Sequence, residues 1–287
     1  MLFRSVVDGT EPTVKQLINL EECDNMYKLN MNGVNKESVF TEEEFSEVGN
    51  LDLVSAYYPL IEDFKDYSGN KLHLTEYGNP TDTPTTFTEN GVKFTQKTGK
   101  YLAYTKDNAL FNLSNTFTIC FNFRLDENIT NVNSTMNRTT LFEKDLYNKD
   151  FSINICEDNN ILYFQVYIGK DDGYRSFTIN IGTINNFINR FNNIIICKNK
   201  RMITVYLNGQ KIECPITEDM NTIHGTGAFR IGSGYCTTSG CTMNYIKIFK
   251  RHITEKEALT EYKWYSNQAK MLINSKNKMF TTQLIED

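Results

Sequence analysis

Arg201-Met-Ile-Thr-Val-Tyr-Leu-Asn-Gly-Gln-Lys-Ile-Glu-Cys214 decides the fold. Ile203, Val205 and Leu207 alternate with Thr204, Tyr206 and Asn208, and period two puts the first set on one face of a strand. Asn208-Gly209 suits a type I′ turn, because both residues tolerate the positive φ that a two-residue hairpin demands. The chain then returns through Gln210 to Ile216. Downstream, Gly227-Ala-Phe-Arg-Ile-Gly-Ser-Gly234 reads as a strand between glycine turns, and Met243 to Lys250 as a last strand. Thr254 and Glu257 have capping-box spacing, which predicts a helix start there. Ala258, Leu259 and Tyr262 fall at helical spacing and are expected to lie on the sheets, with Trp264 as a packing anchor.

Upstream, Thr116 to Arg124 is the clearest strand. Phe117, Ile119, Phe121 and Phe123 point one way and Thr116, Thr118, Cys120, Asn122 and Arg124 the other, which suits an antiparallel sheet with one face on the core. Further strands are expected at Leu53–Leu60, Lys71–Thr75, Gly91–Thr95, Tyr101–Tyr104, Thr140–Asp145, around Ile153, at Ile161–Ile168, around Ile179, and at Phe191–Lys198. Asp66-Tyr-Ser-Gly-Asn70 is a turn of residues that accept tight backbone. Asn79–Thr86 and Asp126–Arg138 read as loops, and Gly169–Tyr174 as a turn. The sum is an all-β antiparallel two-sheet sandwich with a short C-terminal helix.

Residues 1–50 read differently. Val14, Leu17, Ile18 and Leu20 suggest one short helix and Thr41-Glu-Glu-Glu-Phe the start of another. Apolar residues are too sparse there for an independent core. Two readings stay open: an irregular extension packed on the sandwich, or an arm that docks onto a larger assembly. The expected division is extension 1–50, sandwich 51–266 and polar tail 267–287.

The 287 residues carry a net charge of −5, with 40% hydrophobic and 23% charged residues. The acidic balance argues against a nucleic-acid partner, which calls for a concentrated basic surface. No apolar run reaches the roughly 18 residues of a membrane helix. The N-terminus lacks the apolar core of a signal peptide, so synthesis and use without Sec export is expected. Cys120, Cys156 and Cys197 sit in predicted strands as small hydrophobes. Cys236 and Cys241 bracket Thr-Thr-Ser-Gly; a disulfide or half a metal site stays open beside free thiols in a reducing compartment.

With these strands placed, four pieces together resemble the laminin-G-like, concanavalin A-like jelly-roll family. They are Leu53-Val-Ser-Ala-Tyr-Tyr-Pro-Leu with Asp66-Tyr-Ser-Gly-Asn, Phe117-Thr-Ile-Cys-Phe-Asn-Phe-Arg, Ile203-Thr-Val-Tyr-Leu-Asn-Gly-Gln, and Ile246-Lys-Ile-Phe-Lys-Arg-His-Ile-Thr-Glu-Lys-Glu. The resemblance spans residues 51 to 266 and implies a jelly-roll sandwich that binds glycan or protein. Two departures put a family-type calcium site in doubt. Thr242-Met-Asn-Tyr replaces an acidic residue before the last strand, and Phe191-Asn-Asn-Ile-Ile-Ile lacks the family's Trp and His.

Related glycosidases need two carboxylates across a sugar, about 5 to 10 Å apart. Glu143-Lys-Asp145 is the nearest fragment, but Asn148 stands where a third carboxylate belongs, so an exposed strand end is expected. There is no His-Glu-x-x-His, phosphate loop or Gly-x-Ser-x-Gly elbow. His73, His224 and His252 are isolated in sequence. Calcium needs several converging oxygens; Asp171 and Asp172 are the candidates, a hydrophilic hairpin turn the alternative. Loop aromatics suited to sugar binding are Tyr147, Tyr174 and Tyr235.

The expected function is non-enzymatic: a structural or adhesive virion protein, made in the cytoplasm of a bacteriophage host. Its expected partners are other virion or assembly subunits and cell-surface glycan, without nucleic acid or membrane, in an oligomer. The alternatives are a glycoside hydrolase of the same fold and a cellular glycan-binding lectin module.

Overall fold

The computed structural model describes strands Leu20–Cys23 and Met26–Leu29, and residues 54–266 apart from 89, 95–99, 114–115, 127–136, 145–149, 171–172, 218–226 and 233–239. The chain divides into two compact units, residues 52–254 and the flanking segments 1–51 with 255–287.

In the flanking unit, β1 (Leu20–Cys23) and β2 (Met26–Leu29) form an antiparallel hairpin pairing Leu20 with Leu29. Leu20 therefore belongs to a strand and cannot close the helix expected from Val14; Val14, Leu17, Ile18 and Thr41 lie outside the described residues. The helix occupies 255–266, directly after Thr254. It buries Ala258, Thr260, Glu261 and Tyr265, while Leu259 is exposed. The sequence placed Leu259 on the buried face because it is apolar, but the helical angle puts it outside the arc those four share. Trp264 meets Tyr265 edge-on, with ring centroids 4.9 Å apart.

The strands of the large unit run in order β3 (Ala56–Tyr58), β4 (Thr75–Tyr77), β5 (Thr86–Thr88), β6 (Gly91–Phe94), β7 (Tyr101–Tyr104) and β8 (Phe117–Leu125). Then come β9 (Asn137–Lys144), β10 (Phe151–Asp158), β11 (Ile161–Lys170), β12 (Gly173–Thr183), β13 (Asn192–Lys198), β14 (Met202–Leu207), β15 (Gln210–Pro215), β16 (Phe229–Ile231) and β17 (Cys241–Phe249). They form two antiparallel sheets. One has seven strands in the order β12-β11-β10-β9-β16-β7-β4. The other has eight, β15-β14-β13-β8-β17-β6-β5, with β3 added on β17. The jelly-roll-like all-β sandwich expected from the periodicities is thus the fold.

Phenylalanines fill the space between the sheets. Phe121 meets Phe142 edge-on at 5.0 Å, and Phe111 stacks on Phe229 at 4.4 Å. Such pairs contribute about 0.5–1.5 kcal/mol beyond the area they bury. The hairpin turn is as expected: Asn208 has φ 51° and Gly209 φ 82°. Its geometry recurs at Asn159 and Asn160, with φ 51° and 65°, between β10 and β11.

Asp66 pins the opening strand. Its carboxylate accepts from the amides of Tyr57, Ser68 and Leu72 at 2.9–3.0 Å, and its own amide donates to His73 Nδ1. Asn70 Nδ2 donates to the carbonyls of Val54 and Ser55. These bonds draw residues 71–74 out of any ladder, and Lys71 turns to φ 58°. The strand expected at Lys71–Thr75 is therefore reduced to Thr75, where β4 begins. Thr86, expected in a loop, starts β5 against β6. The turn expected over Gly169–Tyr174 is shorter, since Lys170 pairs with Gly173.

The one-sided burial expected for β8 holds only in its second half, where Asn122 and Arg124 are part-exposed between buried Phe121, Phe123 and Leu125. Thr118 and Cys120 are as inaccessible as Phe117 and Ile119. The chain after β17 crosses back over this face: Thr118 Oγ donates to the Arg251 carbonyl and accepts from the Ile253 amide.

Candidate functional site

The outer face of the seven-stranded sheet carries the chemistry. Antiparallel register aligns Thr75, Ala103, Arg230, Glu143, Ser152, Tyr167 and Ser176, one residue from each strand. Seven strands at about 4.8 Å spacing make this row roughly 29 Å long. Each member points away from the core because its neighbours in sequence, Leu102, Phe229, Phe142, Phe151, Ile153 and Ile168 among them, point into it.

The centre of the row is a fixed ion pair. Arg230 Nη1 donates to Glu143 Oε1 at 2.8 Å. Glu143 is only 3% exposed, so the exposed strand end expected there does not exist. It is the penultimate residue of β9, but it pairs across the sheet with Arg230 on one side and Ser152 on the other and is covered there. Burial pushes its carboxyl above the ordinary range, and the Arg230 guanidinium opposes that shift. The other side of Arg230 lies over the Tyr101 ring, 5.3 Å from its centroid. Tyr101 in turn stacks against Tyr77 at 6.2 Å. Arg230 is thus held by a carboxylate and an aromatic face, with 38% of its side chain still exposed.

Beyond Glu143 the floor is a hydrogen-bonded network. Thr140 Oγ donates to Asn154 Oδ1 at 2.6 Å, and Asn154 Nδ2 donates to Ser152 Oγ at 3.2 Å. At the far end Tyr174 meets Tyr167 edge-on, with centroids 5.3 Å apart. Tyr174 is 57% exposed, the most open large aromatic among the described residues. The face therefore has flat aromatic groups at both ends and the Arg230 guanidinium between them, while Thr140, Glu143, Ser152 and Asn154 are only 1–3% exposed.

Of the residues singled out for ligand contact, Tyr174 lies at this site, at the start of β12. Tyr147, Asp171, Asp172 and Tyr235 lie outside the described residues, as do Asp145, Cys236 and His224. Cys241, fully buried at the start of β17, is a free thiol, as are Cys120, Cys156, Cys197 and Cys214. Burial raises the Cys241 thiol pKa, with Asp126 adding to the shift. Among the described residues no group of three or more His, Cys, Asp or Glu side chains is placed to hold a metal ion. Sequence alone did not mark Arg230, Tyr101, Tyr77 or Tyr167. The only signal available was their outward parity in short strands.

No protein-family model matches the chain, and no curated protein matches it. Solved structures do match by fold. The binding domain of botulinum neurotoxin DC in complex with rat synaptotagmin II superposes with a TM-score of 0.56 at 14% identity, over 75% of this chain and 52% of that one. The same domain in complex with SialylT gives 0.56 at 15% identity, over 74% and 51%. A botulinum neurotoxin type C structure, described as depending on two ganglioside molecules to enter cells, gives 0.57 at 15%, over 76% and 52%. The chain spans about half the length of these structures, and at such identities the likeness is one of fold.

Proposed function

We propose that the protein is a non-enzymatic binding module whose ligand lies along the outer face of the seven-stranded sheet. The observation that carries this reading is the row from Tyr77 and Tyr101 through Arg230–Glu143 to Tyr167 and Tyr174. A glycan fits it best: the exposed rings of Tyr77 and Tyr174 accept the apolar faces of sugar rings, and the part-exposed Arg230 guanidinium donates to hydroxyls or a carboxylate. The matched toxin structures are binding domains in complex with rat synaptotagmin II and with SialylT, which supports this reading by analogy of fold.

The finer reading is a laminin-G-like domain in a virion protein, assembled through its flanking segments 1–50 and 267–287. Five free thiols among the described residues suit folding in a reducing cytoplasm. Sedimentation of the full chain beside residues 51–266 tests the assembly part. An oligomeric full chain with a folded monomeric fragment supports it; two monomers dismiss the arms.

The binding part is tested on a glycan array carrying sialylated and neutral oligosaccharides. The wild type should bind a subset, and Tyr174→Ala and Tyr101→Ala should each weaken binding about tenfold or more, in line with losing one aromatic contact of ~1.4 kcal/mol. Unchanged binding in both variants would remove this face from consideration.

A further inference from the structure

A second cluster lies on the opposite, inward side of the same sheet. Lys144 ends β9, and its side chain is 1% exposed. Its Nζ donates to Asn112 Oδ1 at 2.6 Å and lies 3.4 Å from Asp150 Oδ2. Asp150, immediately before β10, has a fully buried side chain. Asp107, more than half exposed, is farther from Nζ, at 4.0 Å. Asn112 follows the short 3-10 turn Ala109–Phe111.

The surroundings are aromatic. Lys144 pairs in register with Phe151 on one side and Phe229 on the other. Phe111, next to Asn112, lies parallel to Phe229, and Phe151 is 6.3 Å from Phe229. A lysine and a carboxylate taken out of water lose much of their hydration and are held by their contacts with one another and with Asn112. The three groups thus comprise an amine nucleophile, a carboxamide in contact with it, and a carboxyl group placed to carry protons.

The geometry points to an intramolecular isopeptide bond between Lys144 and Asn112, with Asp150 as the proton carrier. Asp150 takes a proton from the Lys144 ammonium. The neutral Nζ attacks Cγ of Asn112, which is held beside it by the 2.6 Å contact to Oδ1. Asp150 delivers protons to Nδ2 as the Cγ–Nδ2 bond breaks. Nζ gives up two protons and keeps one, the departing nitrogen gains both and leaves as ammonium, and Oδ1 remains as the carbonyl of the new amide. No oxidant or outside reactant is required. Proximity supplies the rate, because the fold converts a bimolecular aminolysis into an intramolecular one. The bond would tie the segment before β8 to the end of β9, closing a loop through the centre of the sandwich.

Mass spectrometry of the full chain tests this directly. The expected result is an intact mass below the sequence mass by one ammonia, with a branched proteolytic peptide joining the Asn112 and Lys144 segments. Asn112→Ala and Lys144→Arg should each show their full sequence mass. Asp150→Ala, with its fold checked by circular dichroism, should lose the branched peptide. Full sequence mass in the wild type with linear peptides around Asn112 and Lys144 overturns the proposal. So does ammonia loss confined to a linear peptide, which marks a cyclised asparagine. A branched peptide in Asp150→Ala at wild-type yield overturns the part given to Asp150.

Discussion

Single residues hold this fold at places where backbone would otherwise go unpaired. Asp66 satisfies three amides from the opening strand and the turn that follows it. Asp66→Ala should cost about 2–4 kcal/mol, since charge-assisted bonds are lost and partly buried amides left unpaired. Urea unfolding gives that number, and a loss under about 0.5 kcal/mol would show that water replaces the carboxylate freely. Lys198 presents the opposite case. It is 1% exposed, and burial lowers its pKa to about 8. The unfolded chain, with an ordinary lysine near 10.4, binds the proton more tightly there, so stability rises as pH climbs through that window. Lys198→Met should therefore be more stable than the wild type at pH 7, by on the order of 2 kcal/mol, with the gap closing toward pH 10.5. Paired denaturation curves at several pH values check it; a gap that stays constant would assign the difference to packing.

At the scale of strands and turns, the local code worked where one element suffices. Asn208-Gly209 made its hairpin because two positive φ angles are a property of those two residues alone. Gly91 shows what local reading misses. It adopts φ 132°, and a Cβ there would run into the Met243 carbonyl and the Asn244 side chain of β17. Gly91→Ala should destabilise the sandwich by about 3 kcal/mol or more, combining backbone strain with a clash against a neighbouring strand. Thermal unfolding would read this as a lowered Tm. β8 carries the same lesson: its alternation predicted a solvent face, but the segment after β17 covers Thr118 with two hydrogen bonds. The helix was found by its cap and misjudged at Leu259, because a short apolar list does not fix which arc of the helix is buried.

At the scale of the whole molecule, the candidate site is a product of strand order. Tyr77, Tyr101, Glu143, Tyr167, Tyr174 and Arg230 come from six strands and share one face only because β16 inserts between β7 and β9. A ligand spanning the row should feel both aromatic ends. A Tyr101→Ala/Tyr174→Ala double variant should lose the sum of the two single losses in binding free energy, because the sites are far apart and share no partner. Isothermal titration with the best array ligand checks this; a double variant no weaker than one single variant would confine the ligand to one end. The sequence brought forward Tyr174 by residue type and Glu143 for another role. It left Arg230 unmarked, because an arginine between Phe229 and Ile231 looks like any outward strand residue. Period-two alternation, turn chemistry and a capping box were enough to determine a two-sheet antiparallel sandwich with a terminal helix, since each depends on residues within one or two elements. Only the tertiary structure decided which strands neighbour one another. That order sets β16 between β7 and β9 and so creates the Tyr101–Arg230–Glu143 row, while the Asn112–Lys144–Asp150 cluster forms where the 3-10 turn before β8 meets the ends of β9 and β10.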